Sequence, residues 1–315
     1  MLAGGTGQVG TILARHYHAA GDDVVVLSRT PQTAPWRTVA WDAKTLGPWT
    51  SELEAADVVI NLAGRSVNCR YTAANRDAIM SSRVDSAHAI GQAIACAKLP
   101  PRTWLQMSTA TIYAHRYDAP NDETTGIIGG DEPDAPSAWS FSIDVARAWE
   151  RAVDEAVTPQ TRKIKLRSAV VMSPDRGGIF DTLLTLTRRG LGGHAGNGKQ
   201  YVSWIHEADF IRAIEWIIAH ESLTDVVNVA SPNPLPNEAF MREVREASHT
   251  PFGLSSPDWL LSIGAALMQT EPELLLKSRR VIPGKLLANG FTFAFPTWRE
   301  AAADLCSRSR RTRRI

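Results

Sequence analysis

Three glycines near the start of the chain have the spacing of a turn that holds phosphate groups. They belong to the segment Gly4-Gly5-Thr6-Gly7-Gln8-Val9-Gly10. Glycines at this spacing let a strand bend tightly into a helix and bring backbone N–H groups close to a pyrophosphate. The positive end of the helix dipole attracts the same anion. The segment therefore predicts a nucleotide-phosphate site, with a flexible turn as the alternative.

A serine and an arginine follow at the end of the next apolar run. Val24 to Leu27 are suited to a buried parallel strand, and Ser28 and Arg29 come directly after it. Dinucleotide folds that prefer NAD place an acid here for the ribose 2′-hydroxyl, whereas a hydroxyl and a guanidinium suit a 2′-phosphate. The pair therefore predicts NADP(H) as the cofactor, an ordinary solvated arginine being the alternative.

Apolar runs alternate with helical periodicity around these residues, as in a parallel sheet with helices on both faces. Gly21 is expected to end the first helix. Strands are predicted at 58–62, 104–108 and 164–171, and helices at 73–98, 138–156 and 207–220. We predict an α/β fold, a Rossmann-like doubly wound parallel sheet with a smaller C-terminal substrate lobe.

The ends of the chain carry further expectations. Only three residues precede Gly4, whereas a first strand needs about five, so we expect the natural chain to begin a few residues upstream. Frequent prolines after position 232 predict a lobe of short helices. We predict a Rossmann-like domain at 1–230, of which 172–206 contribute to the substrate lobe, a C-terminal lobe at 231–306 and a basic disordered tail at 307–315. A polar loop at 117–137 is long enough to cover a site.

Bulk composition narrows the class of protein. The 315 residues carry a formal net charge of +1, so no global field recruits nucleic acid or membrane. The cysteines and histidines show no metal-ligand spacing, and no metal is expected. There is no apolar run of about 18 residues and no signal-like start. We predict a cytoplasmic monomer or homodimer that acts on a small molecule.

Ordered motifs along nearly the whole chain resemble the extended short-chain dehydrogenase/reductase superfamily. Within it the chain is similar to an atypical epimerase-like group with an extra C-terminal domain of unknown function. The most distinctive stretches are 192–200, running into Ser203-Trp204-Ile205-His206, and 281–291. Shorter matches are Trp41-Asp42, Asn61-Leu62-Ala63-Gly64, Ser82-Arg83-Val84, Trp149-Glu150 and Leu166-Arg167-Ser168.

The resemblance implies positions for the cofactor. The glycine turn from Gly4 to Gly10 faces the diphosphate, and Ser28 and Arg29 face the 2′-phosphate. Leu62 and Ala63 pass beside the adenosine half. Arg83 and Val170 help to hold the ribose and nicotinamide region. Gln8 replaces a common aromatic residue, which matters little because backbone amides bind the phosphates.

The catalytic motif of the superfamily is missing. A tyrosine and a lysine four residues later normally share one helix face and move the substrate proton. Phe141 and Val145 occupy the aligned positions, and no other tyrosine has a lysine at this spacing. Ser108, at the end of its strand, and Tyr113 are the remaining catalytic candidates. Tyr113 is either an acid/base or a packing tyrosine, since without a cation its pKa stays near 10.

His206 and Asp209 are predicted to have a structural role. They resemble a pair that organises the lobe in extended members of the superfamily.

The leading prediction is an NADP(H)-dependent oxidoreductase or epimerase-like enzyme that transfers hydride on a small polar carbonyl or hydroxyl compound. The alternative is an inactive NADP(H)-sensing regulatory or scaffold protein, which the missing tyrosine and lysine favour.

Overall fold

The computed structural model describes residues 1–132, 135–256 and 271–312. Its main sheet has seven parallel strands in the order β10-β6-β5-β4-β1-β2-β3. The order reverses at β1, which lies between β2 and β4. A reversal of this kind leaves a crevice at the carboxyl ends of the strands. The strands of this sheet are β1 (Leu2–Ala3), β2 (Val25–Ser28), β3 (Arg37–Ala40), β4 (Val58–Asn61), β5 (Thr103–Thr109), β6 (Arg162–Ser168) and β10 (Asp225–Val229).

Helices cover both faces of this sheet, because its strands are apolar on both sides. On one face, α1 (Gln8–Ala20) and α5 (Glu207–Ala219) contribute Leu13 and Phe210 to the core. On the other, α2 (Ala73–Cys96) and α3 (Ser140–Asp154) contribute Ile90 and Trp149. The predicted doubly wound fold is confirmed.

A smaller lobe is built from later segments around a third apolar cluster. The rings of Phe240 and Trp298 stack there with centroids 4.1 Å apart. The lobe contains two short two-stranded sheets, one formed by β11 and β8 and the other by β7 and β9. Its elements are β7 (Val170–Met172), α4 (Ile179–Leu186), β8 (Tyr201–Val202), β9 (Trp204–His206), β11 (Leu235–Pro236), α6 (Asn237–Ser248), α7 (Glu273–Leu276), α8 (Gly284–Ala288) and α9 (Trp298–Thr312).

Most predicted elements are present, with shifted ends. Gly21 ends α1 in the left-handed conformation, with a φ of 92°. The predicted strand at 164–171 is two strands, because β6 pairs with β5 and β10 whereas β7 pairs with β9. Periodicity alone does not show this change of partner within one apolar run.

The predicted tail differs in the structure, and the predicted polar loop is anchored at one point. Residues 307–312 are helical, as the end of α9, and not a disordered tail; 313–315 lie outside the described residues. Ser309 is buried, so one side of this segment packs on the protein. In the polar loop, the backbone of Asn121 bonds to those of Arg280 and Ile282 at 2.7 and 3.0 Å. This part of the loop is therefore bound to the C-terminal segment, which here means the described residues from 271 onward.

Candidate functional site

The glycine turn between β1 and α1 is packed too closely for side chains. Gly4 has a φ of +71°, and a Cβ there would lie 2.6 Å from Ala63 Cα. A Cβ on Gly10 would lie 2.4 Å from Gly5 Cα. Glycine is therefore required at both positions: L-residues disfavour the φ of Gly4, and at both positions the atoms that a Cβ would meet are backbone. The turn holds α1 against the sheet, as the spacing predicts.

The N-terminus of α1 is open toward the crevice. Gly7 is the N-cap, with no side-chain cap and no acidic residue in the first turn. A Cβ on Gly7 would meet nothing within 4 Å. The Val9 side chain packs against the core, whereas Gln8 Nε2 is buried without a hydrogen-bond partner among the described residues. Free amides at the positive end of a helix fit a diphosphate.

Ser28 and Arg29, the residues predicted to select NADP(H), lie at the end of β2. Ser28 is buried, and its Oγ accepts a hydrogen bond from the Thr30 N–H at 3.2 Å. Arg29 is exposed and forms no ion pair or side-chain hydrogen bond with any described residue. Lys44 is a second cation beside it, 3.8 Å from Asp85 and 70% exposed in its side chain. The sequence prediction missed Lys44; its place just after the Trp41-Asp42 match was the available signal.

One large cleft joins the turn to these cations. It has a volume of about 560 Å³ and is lined by Gly4, Thr6, Gly7, Ser28, Arg29, Lys44, Leu62 and Ala63, among others. This volume falls in the range of small-molecule sites. The cleft therefore brings together most of the residues that were predicted to hold the cofactor.

Polar contacts fix the two walls of the large cleft. Asn61 Oδ1 accepts the Ala63 N–H at 3.1 Å, and its amide donates to Gln106 at 3.0 Å. The exposed Asp42 carboxylate accepts the backbone N–H groups of Lys44 and Thr45, both at 2.8 Å. The Thr45 hydroxyl and these two bonds lower the pKa of Asp42 to about 2. At neutral pH the charged carboxylate holds the turn that carries Lys44.

A small cavity of about 130 Å³ lies between α2, α3 and the end of β5. Phe141 and Val145, which were predicted to replace the usual tyrosine and lysine, line it together with Thr109, Tyr71 and Arg83. Val170, which was predicted for the same region, is 39% exposed at the start of β7. Phe141 and Val145 thus give this cavity an apolar wall.

Arg83 brings a positive charge to this cavity. Its guanidinium donates to the Ile79 carbonyl at 3.0 Å and lies 5.1 Å from the centre of a Trp149 ring. Burial lowers its pKa to about 10, so it stays charged at neutral pH. No described carboxylate forms an ion pair with it. Such a guanidinium can donate hydrogen bonds to an anionic or hydroxyl-bearing ligand.

Ser108 and Tyr113 lie below this surface in a buried network. Ser108 is 3% exposed and donates to Glu150 Oε1 at 2.6 Å. Glu150 also pairs with Arg167 through two bonds, at 2.9 and 2.8 Å. The Arg167 guanidinium lies 5.0 Å from the centre of the Tyr113 ring. The structure therefore brings the two catalytic candidates into one network through groups that the sequence did not single out for catalysis.

Tyr113 is 2% exposed, and its hydroxyl donates to Asn228 Oδ1 at 2.9 Å. Burial raises its pKa, while Arg167 and the Asn228 bond oppose this rise. A phenol with a raised pKa is a poor base at neutral pH. These contacts suit a positioning tyrosine, and a catalytic role for Ser108 and Tyr113 stays a prediction.

His206 and Asp209 connect β9 and α5 to the C-terminal segment. His206 Nδ1 accepts the Ala208 N–H at 3.1 Å, and Nε2 lies 3.0 Å from Asp304. The Asp209 carboxylate accepts the N–H groups of Ala294 and Phe295, both at 2.8 Å. Both side chains organise the lobe, as the resemblance implies.

The described part of the chain shows neither a metal cluster nor a membrane-spanning helix. No group of three or more metal-ligating side chains occurs there. None of its helices has the length and apolar character needed to cross a membrane.

Family comparisons agree with this geometry. The model of the NAD dependent epimerase/dehydratase family matches residues 1–230. A second model, described as a domain of unknown function (DUF1731), matches residues 256–305. The two matches together cover the large cleft and most of the C-terminal segment.

Similar proteins match over nearly their full length. The epimerase family protein SDR39U1 of Bos taurus is 32% identical over 304 residues, covering 94% of this chain and 95% of the relative. YfhF, an epimerase family protein of Bacillus subtilis, is 28% identical over 308 residues, 96% of each chain.

Solved structures show the same architecture. Human epimerase family protein SDR39U1 (isoform 2) with NADPH has a TM-score of 0.84 at 26% identity, covering 97% of this chain and 98% of that chain. UDP-N-acetylglucosamine 4-epimerase from Bacillus cereus has a TM-score of 0.73 at 15% identity, covering 98% and 95%. The second likeness is one of fold alone.

Proposed function

Because this chain belongs to the NAD-dependent epimerase/dehydratase family, we propose that it is an NADP(H)-dependent oxidoreductase or epimerase-like enzyme. Its substrate in this proposal is a small polar carbonyl or hydroxyl compound. The observation that carries the proposal is the pairing, in one cleft, of an open helix N-terminus with the exposed Arg29 and Lys44. The NADPH in the human relative's structure supports the choice of cofactor.

Each part of the large cleft has a role in this proposal. The amides of Thr6 to Gly10 bind the diphosphate, and Ser28, Arg29 and Lys44 bind the 2′-phosphate. Leu62 and Ala63 flank the adenosine half, and Arg83 and Val170 border the nicotinamide half. A bound nicotinamide supplies or accepts the hydride.

Ser108 and Tyr113 are proposed to position the site. Ser108 anchors the end of β5 to Glu150, and Tyr113 anchors the following turn to Asn228. Both bonds support the neighbouring Thr109 and Thr111, which line the small cavity. Loss of either bond would loosen a wall of that cavity.

Turnover assays test this function. Purified protein with NADPH and a panel of keto, aldehyde and sugar-nucleotide compounds is expected to oxidise NADPH with at least one compound. Ser108→Ala and Tyr113→Phe should lower that rate while the proteins remain folded. Unchanged turnover in both variants would remove these residues from the proposed mechanism.

A second candidate is a sensor that binds NADP(H) without turnover. Phe141 and Val145 favour it, since neither can transfer a proton. It predicts binding of NADPH with no consumption across the panel, and a changed hydrogen-exchange pattern in the C-terminal segment. The predicted cytoplasmic location and monomeric or homodimeric state stay predictions.

A further inference from the structure

Tyr71 stands beside the position of the missing motif tyrosine. Its ring packs edge-on against Phe141, with centroids 5.1 Å apart, and both residues line the small cavity. Tyr71 directly precedes Thr72, the N-cap of α2. Its backbone N–H donates to Glu271 Oε1 at 2.7 Å, and its carbonyl accepts from Arg76 at 3.1 Å. These two bonds fix the Tyr71 backbone, and the contact with Phe141 places its ring at the cavity.

The Ser142 side chain lies between this phenol and a buried carboxylate. Tyr71 and Ser142 both line the small cavity and interact with each other. The Ser142 hydroxyl donates to Glu273 Oε2 at 2.6 Å. A hydroxyl in this place can take a proton from Tyr71 as it gives its own proton to Glu273.

Glu273 has the properties of a proton store. It is 2% exposed, and its Oε1 has no hydrogen-bond partner among the described residues. Burial raises its pKa, with Arg279, Ser142 and Lys277 opposing the rise. A carboxylate whose protonated form is favoured in this way can take up a proton closer to neutral pH.

Positive charges lie near the phenol and near Glu273. Arg83 and Arg279 both interact electrostatically with Tyr71. Lys277 Nζ lies 3.9 Å from Glu273 Oε1. Burial and the nearby Glu273, Glu271 and Cys69 raise the pKa of Tyr71, while Ser142 lowers it. The phenol is therefore neutral at neutral pH, and it can accept a proton only if its own proton leaves at the same time.

We propose that Tyr71 is the acid/base of this site and that Ser142 and Glu273 relay its proton. This inference rests on the proposed function, because it assigns a residue to that reaction. When a substrate hydroxyl is oxidised, its proton passes to the Tyr71 oxygen. The phenol proton passes to Ser142 Oγ, and the Ser142 proton passes to the Glu273 carboxylate. Each hydroxyl gives one proton and takes one, and the relay ends with a protonated Glu273.

Ionisation of Tyr71 in the full chain tests the assignment without a known substrate. Tyrosines carrying ¹³C at the phenolic carbon are followed by NMR from about pH 7 to pH 11, with Tyr71→Phe to assign the signal. The nicotinamide of NADP⁺ carries a positive charge that NADPH lacks. If Tyr71 faces it, the pKa of Tyr71 should be lower by about one unit with NADP⁺ than with NADPH. Tyr113, which lies below the cavity, is the internal control.

Variants test the relay. Glu273→Gln removes a negative charge and should lower the pKa of Tyr71, whereas Ser142→Ala removes the side chain that lowers this pKa and should raise it. Ser140→Ala is the matched control on α3, because the Ser140 hydroxyl donates to the Ser137 carbonyl. It should leave the Tyr71 signal unchanged.

The outcomes separate the two proposals. Binding of both cofactor forms, measured on the same samples by calorimetry, with an identical Tyr71 pKa in each, overturns the Tyr71 assignment and leaves the proposed function standing. Absence of binding for both forms overturns the proposed function and the assignment with it. A cofactor-dependent Tyr71 pKa that does not respond to Glu273→Gln or Ser142→Ala overturns the relay.

Discussion

At the scale of single residues, Glu150 connects groups that lie far apart in the sequence. It accepts the Ser108 hydroxyl and both bonds from Arg167, and it is itself 7% exposed. A buried ion pair adds little stability compared with apolar packing, but loss of one partner leaves an unpaired buried charge. The Glu150 carboxylate therefore contributes both to the stability of the fold and to the position of Ser108.

Glu150→Gln should lower the free energy of unfolding by about 3 kcal/mol, since Arg167 then lacks its counter-charge. Ser108→Ala should cost about 1 kcal/mol, because it removes one hydrogen bond. Glu155→Gln, whose side chain is 62% exposed just after α3, is the matched control and should change little. Urea unfolding measures all three. A Glu150→Gln protein as stable as the control would contradict the proposed role of the pair.

At the scale of elements, two glycines of one turn have separable roles. Gly10 faces the backbone of Gly5, whereas Gly7 faces open space at the helix N-terminus. Gly10→Ala should destabilise the protein by about 2 kcal/mol through overpacking. Gly7→Ala should alter stability by less than about 0.5 kcal/mol. It should still weaken NADPH binding about tenfold, because its methyl group occupies space above the free amides.

Thermal melting and NADPH titration of both variants check this pair. Equal loss of stability in the two would show that the turn tolerates neither side chain. Undiminished NADPH binding by Gly7→Ala would place the phosphates elsewhere.

Local patterns explain why these elements were predictable. The glycine spacing and the apolar run before Ser28 act within a few residues, so the turn and β2 followed from the sequence, and several of the predicted cofactor residues line one cleft. The pairing of β7 with β9 and the Ser108–Glu150 contact depend on segments brought together by tertiary folding. Tyr71 has no lysine four residues later. Its proposed connection to Glu273 runs through Ser142, and these three residues lie far apart in the sequence. No local pattern carries that information.

At the scale of the whole molecule, His206 links α5, which packs on the main sheet, to α9 of the smaller lobe. Its Nδ1 accepts the Ala208 N–H, so the neutral imidazole donates from Nε2 to Asp304. Burial lowers the pKa of His206 below its ordinary value of 6.5, although Asp304 and Glu207 oppose the fall and Arg308 adds to it. The folded protein therefore binds this proton less readily than the unfolded chain.

This linkage sets a pH dependence. Stability from neutral His206 is fully present above about pH 6.5. It is lost as the pH falls from there toward the lower pKa of the folded state. His206→Asn removes the titration, so the difference in unfolding free energy between wild type and variant should shrink on acidification from pH 7.5 to about pH 5.5. Urea unfolding at both pH values measures it, and a difference that grows on acidification would contradict the assignment.

The central claim is that the cleft from Gly4 to Lys44 selects NADP(H) through Arg29. Calorimetric titration of NADPH and NADH into the wild type and Arg29→Ala tests it most directly, with Arg70→Ala, outside the residues that line the cleft, as the control. We expect the wild type and the control to bind NADPH at least about tenfold more tightly than NADH, the effect of one good phosphate contact. Arg29→Ala should lose most of that preference. Equal affinity of the wild-type protein for both cofactors would contradict the account.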